Sequence, residues 1–369
     1  MRHRRIVLTK IMEEKKQNNE QTFERGTTTK DKFNSFYNQH YKTLLLIPII
    51  LIILSISFIG YFYFKTGDFI NRDISLSGGT TITLFSDVSE LDLQNTLTGK
   101  IPDLEIKYVS DDGGKPSQII LITSQKPEEV TPIIEEALGY KLTDKNSNLE
   151  FTGSNLSDNF YKQLVIAILI AFFWMAAVVF IIFAQKWKIK ILALVLNLLF
   201  GIFLGKMFLT MNFFISLIIL LAFIISIVFI YVKYSIPSFA VMLCAFADIV
   251  MTLAIVDLLN LQIAGAGIVA FLMLIGYSVD TDILLTTRVL TRKNTSVNRE
   301  IFGAFKTGMT MTLTAIAAIG VALAVIYHFG TVLNQMFIIL LIGLSLDILN
   351  TWVTNTSLIK WFAEKGGKL

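Results

Sequence analysis

The chain has one cysteine, Cys244, so no disulfide framework is available to it. It has three scattered histidines, His3, His40 and His328, too few and too far apart for a histidine or Cys/His metal site of the usual ligand count. No GxxxxGK[ST] stretch occurs, which excludes nucleotide hydrolysis through a phosphate-binding loop of that kind. Charge is also scarce, at 16% of 369 residues against 54% hydrophobic, whereas soluble domains carry about 25% charged residues. The shortage is uneven. Residues 1–42 hold 15 charges and residues 65–161 hold 24, which leaves 21 for the other 230 positions. The net charge of +4 averages opposed regions, with 1–42 at +5, 65–161 at −8 and the remainder at +7. No basic, aromatic-rich soluble domain is present, so nucleic acid is not an expected partner.

What is abundant is uncharged apolar length. Thr43–Phe64 runs 22 residues without a charge, enough to cross a hydrocarbon core of about 30 Å, and longer than the apolar part of a cleaved signal peptide. Seven further spans are expected at about 163–185, 189–210, 213–232, 237–259, 264–287, 303–327 and 335–359, which makes eight in all. Residues 1–42 are polar and mixed in charge and read as a disordered tail. Residues 65–161 read as a small folded domain with strands at Thr80–Phe85, Leu104–Val109, Gln118–Thr123 and Asn148–Thr152 and helices at Ser89–Leu97 and Pro127–Leu138. Asp111-Asp112-Gly113-Gly114 supplies a hairpin turn, and Pro127-Glu128-Glu129 opens a helix. The order is βαββαβ, ferredoxin-like. The expected fold is therefore a polytopic α-helical membrane protein with one α+β domain between the first two spans.

Lys and Arg sort the two sides of the membrane. The tail, Lys186, Lys188, Lys190, Lys233, Arg288, Arg292, Lys293, Arg299, Lys360, Lys365 and Lys368 all fall on one side of an eight-span topology, which is then cytoplasmic. Both termini lie there, 363–369 being a short tail, and 65–161 lies outside.

Ionisable residues inside the spans cost about 2.5–3.5 kcal/mol each on insertion scales and are functional candidates by default. They are Asp248, Asp257, Asp280, Asp282, Lys306 and Asp347, with Lys206 and Arg288 at the margins. Lys206, Asp257, Arg288 and Lys306 are near helix ends and are expected to snorkel. Asp248 and Asp280 fall at similar depth on consecutive antiparallel helices and are expected to share a proton site. Asp280 and Asp282 point about 160° apart, so only one of them faces a given neighbour, while Tyr277, Thr281 and Arg288 share a stripe. The small and hydroxyl residues of 307–324 signal close helix approach.

The stretch Gly276-Tyr277-Ser278-Val279-Asp280-Thr281-Asp282, continuing to Arg288 and followed by Lys306-Thr-Gly-Met-Thr, resembles the SecF family of protein-export membrane proteins in its archaeal form. So do Ser77-Gly78-Gly79-Thr80, the run from Ile236 through Asp248, and Asp347-Ile-Leu-Asn350-Thr-Trp352. The resemblance implies a resistance-nodulation-division type bundle that pairs with a SecD-like subunit. It implies assistance to the SecYEG translocon in moving a preprotein, driven by the ion-motive force, without ATP or a cofactor and with membrane lipid around it. Carried onto this chain, Asp248 takes the place of the family's mid-membrane acid and Arg288 that of the arginine at the cytoplasmic end of the next helix. Asp280 and Thr281 stand where bacterial members carry Asn-Asp. The ion-coupling candidates are thus Asp248, Asp280, Asp282, Arg288 and Asp347, with Arg288 expected to stabilise whichever carboxylate is ionised. Members usually have six spans, so residues 184–230 read as an inserted pair with a peripheral packing role, within a bundle covering 162–362. Rival readings are an exporter half for lipids or small hydrophobic molecules, a structural subunit without ion coupling, and an aspartyl intramembrane protease. The last requires Gly-x-Gly-Asp, and Tyr277-Ser278-Val279 precede Asp280 here. A transport accessory subunit rather than an enzyme is expected.

Overall fold

The structure is a computed structural model, and it describes residues 40–85, 96–97, 99–101, 103–110, 116–207, 212–292, 295–327 and 332–367. The tail expected over 1–42 lies outside this set apart from its last three residues, as do the turn at 111–114 and, except for Thr96 and Leu97, the helix expected over 89–97. Among the described residues, eight helices are long and apolar enough to cross a membrane.

Helix α1 (Leu46–Thr66) buries only Pro48 and exposes Ile50, Ile53, Leu54 and Ile56, as a helix surrounded by lipid does. The chain then forms an extended strap and a single turn, α2 (Ile74–Ser77), before strand β1 (Gly79–Leu84). Strands β2 (Glu105–Ser110), β3 (Pro116–Thr123) and β4 (Ser147–Thr152) complete an antiparallel sheet of order β2-β3-β1-β4. Helix α3 (Pro127–Leu138) begins with Pro127 in its first turn and Glu128 and Glu129 beside the positive end of its dipole. It ends at Gly139, whose φ of 73° lets its N–H close on the Glu135 carbonyl. Val130 and Ile134 bury completely against Ile82, Leu84, Ile119 and Leu121, each contributing about 1.5–3 kcal/mol.

The bundle follows as α4 (Ser154–Phe183), α5 (Trp187–Ile202), α6 (Phe213–Tyr234), α7 (Ile236–Leu258), α8 (Gly265–Leu290), α9 (Val297–Ile326), α10 (Val332–Leu349) and α11 (Thr356–Glu364). Among the described residues two π-helical segments interrupt it: Phe203–Met207 closes α5, and Asn350–Asn355 joins α10 to α11 within one span. Helix α4 starts nine residues before the span expected at 163, because Ser154–Lys162 continues the same helix as a polar first portion. Helices α5 and α6 seat on α4 through aromatic contacts, with Phe173 against Phe200 (4.4 Å between centroids) and Phe180 stacked on Tyr231 (4.5 Å). Their outer faces expose Leu192, Val195, Leu199, Ile218, Leu221 and Ile225.

The strap over 67–77 ties the sheet to the bundle. The Ile263 N–H donates to the Asn71 carbonyl (2.6 Å) and the Asp73 N–H to the Ile263 carbonyl (3.0 Å), a short parallel bridge between the strap and the α7–α8 turn. Asn71 also donates its backbone N–H to Asp257 Oδ1 (3.2 Å) and its side-chain amide to Asn260 Oδ1 (3.1 Å). Arg72 pairs with Asp68 (2.6 Å) and Asp158 (3.4 Å) and lies over the Tyr161 ring. Asp257, expected to snorkel, is instead 3% exposed, because a bond to the strap's backbone holds it in the junction.

Ser77-Gly78-Gly79-Thr80 sits where α2, β1 and α4 converge. Gly78 has a φ of 84°, and a side chain there would strike the backbone of Ser154; one at Gly79 would strike the Thr123 carbonyl. Ser77 Oγ donates to the Asp73 carbonyl and Thr80 Oγ1 to the Gln125 carbonyl. The motif is thus a close-approach joint.

Candidate functional site: buried acids in the bundle

Small residues bring three helices close enough to share polar side chains. Ala240, Ala245 and Ala247 on α7 are buried, Gly343 on α10 receives Leu274 of α8, and Gly308 on α9 receives Trp352 and Thr281. Into the space so defined project Asp248 from α7, Ser278, Asp282 and Thr286 from α8, and Asp347, Asn350, Thr351 and Asn355 from the last span, all 1% exposed or less.

Each acid is held by named donors. Asp248 accepts a short hydrogen bond from Ser278 Oγ and another from Asn350 Nδ2 (2.6 Å). The Asp347 carboxyl neighbours Asp248 and Ser278 closely enough to interact with both electrostatically. Thr351 Oγ1 stands between two acids, 2.9 Å from Asp282 Oδ1 and 3.0 Å from Asp347 Oδ1, and having one proton it donates to one at a time. Asn355 Nδ2 donates to Asp282 Oδ1 (2.7 Å). Among the described residues no Lys, Arg or His pairs with Asp248, Asp282 or Asp347, and no group of His, Cys, Asp or Glu is placed to hold a metal ion. Three carboxyl groups therefore meet inside the bundle with hydroxyl and amide partners but no fixed counter-ion. Buried charge of this kind is neutralised by a proton or a mobile cation rather than left bare.

This grouping corrects the expected one. Asp280 does not share a site with Asp248; it is exposed on the outward face of α8, beside Gly276 and Tyr277. The reason is helical phase. Ser278 touches Asp248, and Asp282, one turn further on, falls on the same face, whereas Asp280 lies midway between them on the opposite side. Asp347 takes the place expected of Asp280. Arg288 does not reach the cluster either: its guanidinium packs on Gly303 of α9, 3.4 Å from Glu300 Oε2 and 3.5 Å from Thr307 Oγ1. Of the stripe Tyr277, Thr281 and Arg288, Thr281 alone is buried. Lys206 and Lys306 are exposed. Lys360, counted above among the cytoplasmic surface charges, is 1% exposed, its Nζ 4.0 Å from Glu364 Oε1.

Sequence reasoning missed Thr286, Thr351, Asn355 and Lys360. A signal was present, since Asn350, Thr351, Thr354, Asn355, Thr356 and Ser357 crowd six amide and hydroxyl side chains into eight positions of an apolar span.

The bundle with its buried acids matches a known class. Residues 201–365 match the family model described as "Protein export membrane protein SecD/SecF, C-terminal". The closer affiliation comes from longer alignments: the chain is 31% identical over 331 residues to the protein-export membrane protein SecF of Methanocaldococcus jannaschii, covering 87% of this chain and 95% of that one. It is 29% identical over 334 residues to SecF of Methanolacinia petrolearia (89% and 95%) and 27% identical over 344 residues to SecF of Pyrococcus furiosus (92% and 97%). The chain belongs to the SecF family of protein-export membrane proteins. Its fold is similar to the crystal structure of SecDF, a translocon-associated membrane protein of Thermus thermophilus, with a TM-score of 0.53 and 16% identity. That match covers 88% of this chain and 38% of the larger one.

Proposed function

We propose that this chain is the SecF-like half of a SecD–SecF complex that assists SecYEG-dependent translocation of preproteins across the cytoplasmic membrane, driven by the ion-motive force. The observation that carries the reading is the meeting of Asp248, Asp282 and Asp347 within the bundle without a fixed cation. Such a cluster changes its packing when a proton enters or leaves, because Thr351 re-aims its single proton between Asp282 and Asp347. Orientation follows the Lys and Arg distribution, with both termini cytoplasmic and the sheet outside. The acid cluster is then about halfway across, and the strap on the α7–α8 turn carries a shift of those helices to the sheet.

The partner reading has its own support. Asp280, Lys306 and Thr310 are exposed at membrane depth on α8 and α9, where lipid is a poor solvent for them, and a SecD-like bundle would cover them. Residues 184–230 contribute no carboxylate, and the described helices of that stretch, α5 and α6, pack against α4 and α7, which supports a packing role for the pair. The role is that of a transport accessory subunit rather than an enzyme. The decisive test measures export of a secretory protein into inverted vesicles with and without a proton gradient. Asp248→Asn and Asp347→Asn should each remove the gradient dependence while protein level and SecD association persist. Full gradient dependence in both variants would overturn the proton role of the cluster.

A further inference from the structure

The bundle core is asymmetric about the acids. Toward the α7–α8 turn, the side chains packed between helices are apolar: Ala270, Phe271 and Leu274 on α8 and Ile339, Leu340 and Leu344 on α10 form one dry cluster. Toward the opposite end, where α4 and α8 finish and α7 begins, Leu285, Val289, Ile359 and Ala363 are buried as well, but the last span adds the buried polar side chains of Asn350, Thr351, Thr354, Asn355, Thr356, Ser357 and Lys360.

The unpartnered polar atoms follow the same division. Asp282 Oδ2, Asn350 Oδ1, Trp352 Nε1, Thr354 Oγ1 and Asn355 Oδ1 are buried without a protein hydrogen-bond partner. On α7, α8 and α10 between the acids and the outer turn, Thr252 Oγ1 is the single such atom among the described residues before Asp257 in the junction. Protein interiors rarely leave buried donors and acceptors unpaired, and a polar void is filled by ordered water. Four such atoms within six residues of the last span, with a fifth on Asp282 of α8 beside them, are more than a single trapped water molecule would satisfy. The π-helical turn over Asn350–Asn355 widens the helix where they gather. Lys360 is about 7.5 Å beyond Asn355 along the axis, and its ammonium adjoins Glu364, whose side chain is 47% exposed.

We propose that the π-helical segment and α11 line a hydrated half-path connecting the acid cluster to the face of the bundle bearing Lys360 and Glu364, and that the apolar cluster of α8 and α10 closes the other half. Water is the ligand, and protons move through it by exchange along the hydrogen-bonded file. In the proposed orientation this is the cytoplasmic half, so access from outside requires either a rearrangement of the Leu274 and Leu344 layer or a route contributed by a partner chain. The purpose assigned to the path rests on the ion-coupling reading, but its existence does not.

The test is cysteine accessibility in the full-length protein in its membrane, with Cys244 replaced by alanine. Thr354→Cys and Ser357→Cys, both near-isosteric, probe the half-path, Leu340→Cys and Leu344→Cys probe the dry layer, and Gln185→Cys reports the exposed end. Vesicles are treated with silver ion, which reaches thiols only through water, and cysteines still free are then alkylated after denaturation. The expected result is loss of later alkylation at 354 and 357 in the time that blocks 185, with 340 and 344 still fully alkylated. Cysteines at 354 and 357 as unreactive as those at 340 and 344 would overturn the half-path, and so would equal reactivity at all four. Export is not measured, so a failure here is distinguishable from a failure of the ion-coupling reading.

Discussion

Helices α5 and α6 and helices α7 and α8 are both membrane hairpins of similar length and apolarity, yet they are built for different neighbours. The first pair buries a narrow stripe, including Ala193, Asn197 and Phe200 on α5 and Ile227 and Tyr231 on α6, and presents Leu, Ile and Phe elsewhere. The second pair buries residues along its whole length, and many of them are small or polar: Ala240, Ala245, Ala247 and Asp248 on α7, Ala270, Ser278 and Asp282 on α8. Hydropathy alone does not separate the two. Close approach does, because a carboxyl group in the bilayer interior is tolerated only where neighbouring helices are near enough to donate hydrogen bonds to it. The buried carboxyl groups Asp248, Asp282 and Asp347 accordingly lie on the tightly packed helices, and the described residues of the loosely packed pair carry none.

The largest break in that comparison comes from closing the tight region. Gly308→Ala puts a methyl group into the Trp352 ring and Thr281, and should destabilise the bundle by about 1–3 kcal/mol. Gly320→Ala on the same helix meets nothing within 4 Å and should be neutral or slightly stabilising. Thermal denaturation of the detergent-solubilised protein distinguishes them.

Next in size is the contrast within α8. Asp282→Asn removes an acid bonded to Thr351 and Asn355 and should abolish most gradient-dependent export. Asp280→Asn, on the outward face, should leave the gradient dependence in place and act instead on co-purification of the SecD-like chain. Equal loss of gradient dependence in the two variants would return Asp280 to the proton site.

An intermediate effect is expected at the strap. Asn71→Ala removes the amide contact with Asn260 but leaves the backbone bridge to Ile263, so protein level should hold while gradient-stimulated export falls part of the way. Unchanged stimulation would argue against the strap as the link to the sheet.

The smallest effect belongs to the loosely packed pair. Asn197 donates to the Ala193 carbonyl and approaches the Tyr231 hydroxyl at 3.4 Å. Asn197→Ala should cost about 0.6–1.7 kcal/mol, the size of a hydrogen bond between membrane helices, with export unaffected.

By itself the sequence determined what is local and periodic. Uninterrupted apolar length marks a span because the bilayer has a fixed thickness, and the described residues hold eight helices of sufficient length and apolarity at the expected places. Alternation and Pro127-Glu128-Glu129 place the strands and α3, because their signals lie within a few residues of the elements they define. Asp248, Asp282 and Asp347 stand out by residue type alone, and the 160° between Asp280 and Asp282 follows from helix geometry. Only the tertiary structure decided which of that pair turns inward, since phase within one helix does not say where its neighbour is. It also decided that Arg288 answers Glu300, that Lys360 is buried, and that Asp257 holds the strap. These contacts join residues from 12 to 186 positions apart or depend on how a neighbouring helix covers a side chain. The π-helical turn over Asn350–Asn355 adds a change of helical phase in the middle of a span, which no uniform period read from the sequence carries across.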